Sequence, residues 1–162
     1  MNFLNTFLAK VKLIKEMLHI RLTTEVSAFN VRKEYKMGNP MVMFIDDSET
    51  ALASTRMTVS SMPIESKQYL EAQQCLADVK AGVVPDLIIT DLNMPVMNGL
   101  ELLKALRELP ATKRTPVLML TTETKDELKQ QGKALGLTGW IVKPFNPTQL
   151  KSAITRVLRL PA

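Results

Sequence analysis

Long apolar runs are missing from this chain of 162 residues, and so is any cysteine beyond Cys75. No stretch reaches the ~18–20 consecutive apolar residues of a membrane-spanning helix, so none is expected. The N-terminus lacks an uninterrupted apolar core and a small-residue cleavage site, which argues against a signal peptide. A single cysteine excludes an intramolecular disulfide and suits a reducing cytoplasm. Within EAQQCLADVK, Cys75 reads as a plain core or boundary thiol of a helix. The one histidine, His19, has no cysteine, histidine or carboxylate cluster around it, so it reads as solvated rather than metal-ligating. Internal repeats and low-complexity tracts are absent as well.

What is present is an apolar content of 46%, enough for a folded globular domain with a substantial core. The net charge of +5 is uneven. Residues 1–36 carry seven basic and three acidic side chains, a net of +4, and the remainder is nearly neutral. The basic balance therefore marks a compositionally distinct N-terminal segment, and no nucleic-acid partner is expected.

Residues 2–22 read as an amphipathic helix. Phe3, Leu4, Phe7, Leu8, Val11, Ile14 and Leu18 recur at helical spacing, flanked by Lys10, Lys12, Lys15 and Arg21. Three readings stand. The helix lies weakly on an anionic membrane surface; it docks on a partner or a second copy; or it has no function, translation starting at Met37 or Met41. Gly38-Asn39-Pro40 is a break signal. The boundary is placed there, with an extension over 1–39 and a folded domain over 40–162.

From Met41 onward, strand-like and helix-like segments alternate. Strands are expected at Met41–Ile45, Ile64–Tyr69, Asp86–Asp91, Pro116–Leu120 and Gly139–Val142. The second is weak. Helices are expected from the Ser48 cap to about Ser61, then at Glu71–Lys80, Leu100–Leu109, Lys125–Leu135 and Pro147–Leu158. Ser48 and Asn146 are natural N-caps, and Pro147 sits at the tolerated first helical position. Five strand–helix repeats predict a doubly wound α/β fold, a five-stranded parallel sheet with helices on both faces.

In such a sheet all strand C-termini share one edge, and ligand chemistry happens there. Asp46 and Asp47 end the first strand, Asp91 the third, Thr121 the fourth and Lys143 the fifth. Clustered carboxylates repel, and a hard divalent cation relieves them. Mg²⁺ is apt, because it takes a few carboxylates, keeps waters and bridges to phosphate oxygens. A lysine adds a compact cation and a threonine a hydroxyl donor. Together these groups describe transfer of a phosphoryl group onto a carboxylate.

FIDDS, TDLNMPVMNG, LTTE and GWIVKPF, in this order and spacing, resemble the receiver domain of two-component response regulators. The last third is most similar to single-domain chemotaxis regulators of the CheY type. The resemblance implies a flavodoxin-like strand order, 2-1-3-4-5. It implies that Asp91 accepts phosphate from the phosphohistidine of a sensor histidine kinase. It implies Mg²⁺ held by Asp47 and Asp91 and the main-chain carbonyl of Asn93, with Asp46 aiding directly or through water. Thr121 and Lys143 would bind the phosphoryl oxygens. Trp140 stands where the family usually has Tyr or Phe, a ring that turns inward when Thr121 moves toward the phosphate. Asn93 and Glu123 occupy positions that tune hydrolysis of the acyl phosphate, and Lys143-Pro144 is commonly cis. Signal would leave through an output protein bound at the face formed by helix 125–135, strand 139–142 and helix 147–158. No output domain is expected after Ala162, and the location is expected to be cytoplasmic.

The sequence also admits other readings. A Mg²⁺-dependent aspartyl-phosphate phosphohydrolase would place an acid two residues after its nucleophile, where this chain has Asn93. A flavodoxin-like cofactor binder would avoid the acid cluster. A phosphate-sink or membrane-recruited adaptor would keep the receiver and change its role. The acidic-glycine turn usual after the second strand is replaced by Tyr69-Leu70-Glu71-Ala72.

Overall fold

Three short runs of large and β-branched apolar residues become strands buried on both faces. They are β1 (Met41–Ile45), β3 (Leu87–Thr90) and β4 (Val117–Thr121), flanked by β2 (Glu65–Tyr69) and β5 (Gly139–Val142) at the sheet edges. The structure is a computed structural model that describes residues 38–161. The helix expected over residues 2–22 and His19 lie outside the described residues. Asn39–Ala162 forms one unit by itself. All pairings are parallel and the order is β2-β1-β3-β4-β5, as the resemblance implied.

Five helices connect the strands: α1 (Glu49–Val59), α2 (Ala72–Lys80), α3 (Gly99–Glu108), α4 (Asp126–Ala134) and α5 (Pro147–Leu158). The period-two alternation of each strand sorts its side chains between two layers. Val42 and Phe44 of β1 meet Leu52 and Val59 of α1 and Leu150 and Ile154 of α5. Met43 and Ile45 meet Cys75 and Leu76 of α2 and Leu102, Leu103 and Leu106 of α3. Leu150 and Ile154 are fully buried, each worth about 1.5–3 kcal/mol against exposure.

Helix starts follow from short polar side chains. Ser48 Oγ accepts from the Ala51 N–H at 3.2 Å. Asn146 and Gln149 cap each other reciprocally ahead of α5, with Pro147 in the first turn. Asn98 and Glu101 form the same box at α3, so α3 opens at Gly99, one residue before the expected Leu100. α1 ends at Val59 rather than Ser61, because Met62 N–H turns back to the Val59 carbonyl. β3 is shorter than Asp86–Asp91, with both aspartates just outside its ends.

β2 reads weakly because its sequence, ESKQY, is polar. It pairs only with β1 and keeps its first residues exposed. Lys67 on this edge bonds Asp78 at 2.5 Å, and Tyr69 donates to the same carboxylate at 2.8 Å. A charged edge of this kind discourages pairing with another sheet. Among the described residues, no helix is long and apolar enough to cross a membrane.

Candidate functional site

The parallel ladder continues one bond past three of its strands, and that extension assembles the site. Asp46 N–H donates to the Tyr69 carbonyl, Asp91 N–H to the Ile45 carbonyl, and Lys143 N–H to the Thr121 carbonyl. Asp91 is thereby seated against the end of β1, and Lys143 against the end of β4. Asp46 and Asp91 are only 7% and 8% exposed, and Thr121 is fully buried.

Lys143 Nζ stands 2.5 Å from Asp46 Oδ2 and 3.3 Å from Asp91 Oδ1, bridging two carboxylates from separate strands. The second Asp91 oxygen accepts the Asn93 N–H at 3.1 Å, and Asp46 Oδ1 accepts the Ser48 N–H at 3.0 Å. Burial, opposed by Lys143 and reinforced by the charge of Asp46, holds the Asp91 carboxyl above the ordinary aspartate range. Burial pulls the Lys143 ammonium down, but the two facing carboxylates outweigh it and leave its pKa above the usual lysine value.

Asp46, Asp91 and Lys143 thus come together as the sequence predicts. Thr121 ends β4 at the same edge. Its hydroxyl oxygen accepts the Glu123 N–H at 3.2 Å, and its own proton remains a donor. Asp47 follows Asp46 in the chain and is exposed, with no place in this hydrogen-bonded cluster. Glu123 turns its carboxylate onto the N–H groups of Lys125 and Thr124 in the loop entering α4, which holds its pKa below the ordinary value. Trp140 is half-buried against the core, and its indole N–H donates to the Glu123 carbonyl at 3.0 Å. The Lys143–Pro144 bond is cis.

Two features of the β3–α3 loop escape the sequence reading. Gly99 packs so closely that a Cβ would sit 2.3 Å from the Asp91 carbonyl oxygen and 2.8 Å from Met119 Sδ. Val96 adopts a positive φ of 67°. The Asn98–Glu101 spacing was a readable signal for the cap; nothing in a lone valine announces its backbone angle.

The donor set suits a divalent cation that keeps most of its waters. Two buried carboxylates, Asp46 and Asp91, retain lone pairs beyond their present hydrogen bonds. The three-carboxylate cluster expected from the sequence is not found: among the described residues no group of three or more Asp, Glu, His or Cys side chains is placed to hold a metal ion, and Mg²⁺ ordinarily binds through one or two carboxylates.

The strand order and the acid–lysine cluster define a flavodoxin-like α/β domain with an acidic carboxyl edge. The chain belongs to the response regulator receiver domain family, whose sequence model matches residues 42–155. It is similar to chemotaxis protein CheY1 of Helicobacter pylori, 37% identical over 121 residues that span 72% of this chain and 95% of that protein. Chemotaxis protein CheY-3 of Vibrio cholerae is 32% identical over 120 residues, 74% of this chain and 92% of its own. The phosphate regulon regulatory protein PhoB of Rhizobium meliloti is 28% identical, and the chain spans only 52% of its length. Among solved structures, CheY4 of Vibrio cholerae superposes with a TM-score of 0.70 and 43% identity, covering 75% of this chain and 100% of that one. Membership places the chain among the signalling proteins of two-component systems.

Proposed function

We propose that this chain is a single-domain response regulator. It accepts a phosphoryl group on Asp91 from a histidine kinase, and it signals through phosphorylation-dependent partner binding in chemotaxis. The observation that carries this reading is the Asp91 carboxylate itself. It is buried at the end of β3, with the Lys143 ammonium on one oxygen and the Asn93 N–H on the other. The near-complete span of CheY1 and CheY4 supports a CheY-like role, and their names support chemotaxis.

In this reading an Asp91 oxygen attacks the phosphorus of a phosphohistidine. The P–O bond forms, the P–N bond breaks, and the departing imidazole takes up a proton. Lys143 is already in place for the negative charge that arrives, and a preorganised cation costs no reorganisation at the moment of transfer. The Thr121 hydroxyl donates to a phosphoryl oxygen. Asp46, Asp47, Asp91 and the Asn93 carbonyl would hold Mg²⁺, which would supply further positive charge to the phosphoryl oxygens.

Movement of Thr121 toward the phosphoryl group is relayed to Glu123, whose N–H donates to the Thr121 hydroxyl, and through the Glu123 carbonyl to Trp140 on β5. The α4–β5–α5 face then changes its affinity for an output protein, a shift of populations driven by local charge. Asn93 and Glu123 set the lifetime of the acyl phosphate. Asn93 meets Asp91 through its backbone N–H and carries no acid, which supports signalling over turnover of external phosphate esters. The receiver occupies residues 40–162 in the cytoplasm. Residues 1–39 form an extension whose apolar stripe over residues 2–22 suits a membrane surface or a partner.

The test is intact-mass analysis after incubation with Mg²⁺ and acetyl phosphate. The chain should gain the mass of one phosphoryl group, and Asp91→Asn should not. Equal labelling of the variant refutes the assignment.

A further inference from the structure

The loop that carries Asp91 toward α3 contains a strained apex. Met97 N–H donates to the Pro95 carbonyl at 2.7 Å, and the residue between them, Val96, has φ 67°. A bond from residue i+2 to residue i across a positive φ is the rare, strained form of the γ-turn. A β-branched side chain makes that conformation more costly still, whereas glycine or asparagine tolerates it. Burial does not repay the strain, because Val96 is 92% exposed. Both ends of the turn are pinned. Met94 is buried and Met97 packs on the core, Asn98 is locked in its capping box, and Gly99 N–H is bonded to the Leu92 carbonyl. The loop therefore holds an apolar side chain out in water, five residues from Asp91.

Val96 has company. Among the described residues, five large apolar side chains are exposed. Two of the other four, Leu70 just past β2 and Val142 at the end of β5, lie on the same edge of the sheet. The acidic site is thus bordered by apolar groups. Asp91 itself is 8% exposed, so a phosphohistidine on a protein reaches it only if the donor's surface closes over the surrounding segments. A small phosphodonor needs no such closure.

We infer that Val96 is a specificity-determining residue for macromolecular phosphodonors: its solvated side chain is the apolar contact that a phosphohistidine-bearing protein buries as it delivers its phosphoryl group to Asp91. The inference rests on the phosphoacceptor reading above. Burying that side chain at a docked interface returns the apolar transfer energy forgone in the free protein. The pinned turn keeps the contact preorganised, so little ordering entropy is spent on it at encounter.

The experiment uses the full chain, Val96→Gly and Val96→Asn. Each is labelled by acetyl phosphate and by the autophosphorylated histidine kinases of its own organism, with Mg²⁺ present. Both substitutions accept a positive φ, so both variants should melt at or above the wild-type temperature. The ratio of kinase-donated to acetyl phosphate-donated labelling should fall more than threefold in both, for the kinase that labels the wild type fastest. A smaller change in that ratio overturns the inference, as does a parallel loss with both donors, which would make Val96 a determinant of site geometry. Labelling of the wild type by acetyl phosphate but by no kinase overturns it too. Absence of labelling by either donor refutes the phosphoacceptor reading instead, which separates the two failures.

Discussion

The indole N–H of Trp140 donates to the carbonyl oxygen of Glu123 across 3.0 Å, tying the middle of β5 to the loop that leaves β4. Glu123 in turn donates its backbone N–H to the Thr121 hydroxyl. Any displacement of Thr121 therefore reaches the one tryptophan of the chain through two hydrogen bonds. Intrinsic fluorescence should change in intensity when acetyl phosphate and Mg²⁺ are added, and Asp91→Asn should abolish the change. An unaltered spectrum in a chain shown by mass to be phosphorylated would disconnect Trp140 from the site. Trp140→Phe keeps the ring and loses the donor, and should cost about 1 kcal/mol in urea unfolding.

The raised pKa of Asp91 sets the sign of a pH effect. Burial is its main cause, so the folded state holds this proton to higher pH than the unfolded chain does. Between the two values the native state binds more protons, and stability contributed by Asp91 falls as pH rises through the window. At neutral pH the cost of the buried charge is fully present. Asp91→Asn should therefore melt above the wild type at pH 7, with the gap closing as the pH drops below the ordinary aspartate range. Calorimetry at both pH values checks it, and a variant less stable than wild type at pH 7 contradicts it.

Lys143 shows a linkage of the same sign in a far more alkaline window, but here it is the charged form that stabilises. Its pKa is raised by its carboxylate partners, so its contribution is complete at pH 7 and fades only in strong alkali, as the pH rises through the folded value. Lys143→Ala leaves Asp46 and Asp91 facing each other without a cation. With the lysine side chain 21% exposed, the loss should be about 2–3 kcal/mol, below the cost of breaking a fully buried pair. Urea titration at pH 7 reads it directly.

Gly99→Ala tests the packing behind Asp91. The added methyl meets the Asp91 carbonyl oxygen and Met119 Sδ inside contact distance, and neither can leave without moving β3 or the core. Destabilisation of about 1–3 kcal/mol is expected, together with slower labelling by acetyl phosphate. A fully stable variant would mean that the loop has room the structure does not show.

If Asp47 is a metal ligand as proposed, its substitution separates metal binding from folding. Its side chain is exposed, so Asp47→Asn should change stability by no more than about 0.5 kcal/mol. Its phosphorylation should nonetheless demand more Mg²⁺, measured as the Mg²⁺ concentration for half-maximal labelling. Chelation with EDTA should stop labelling of the wild type.

The parts of this fold that were legible in the sequence are those where local chemistry and global packing agree. Leu87-Ile88-Ile89 and Val117–Leu120 read as buried strands because every side chain is apolar, and the sheet buries them on both faces. Ser48 and Asn146 read as caps because short oxygen acceptors there have few other uses. The meeting of Asp46, Asp91 and Lys143 was legible from topology alone, since parallel strands must end together. The rest depended on contacts without a sequence period. β2 is polar and takes its identity from one neighbour. Glu123 spends its carboxylate on its own loop. Val96 owes its backbone angle to the pinned residues on either side of it.

Cys75 lies fully buried with its sulfur 3.7 Å from Met43 Sδ, and burial pushes its thiol pKa up to about 12. A maleimide dye offered to the folded chain finds almost no thiolate to attack. The native protein is therefore a silent background for site-selective labelling. A cysteine engineered at an exposed position such as Met57 would be the single point of attachment, and a probe there could follow partner encounters without removing the natural thiol.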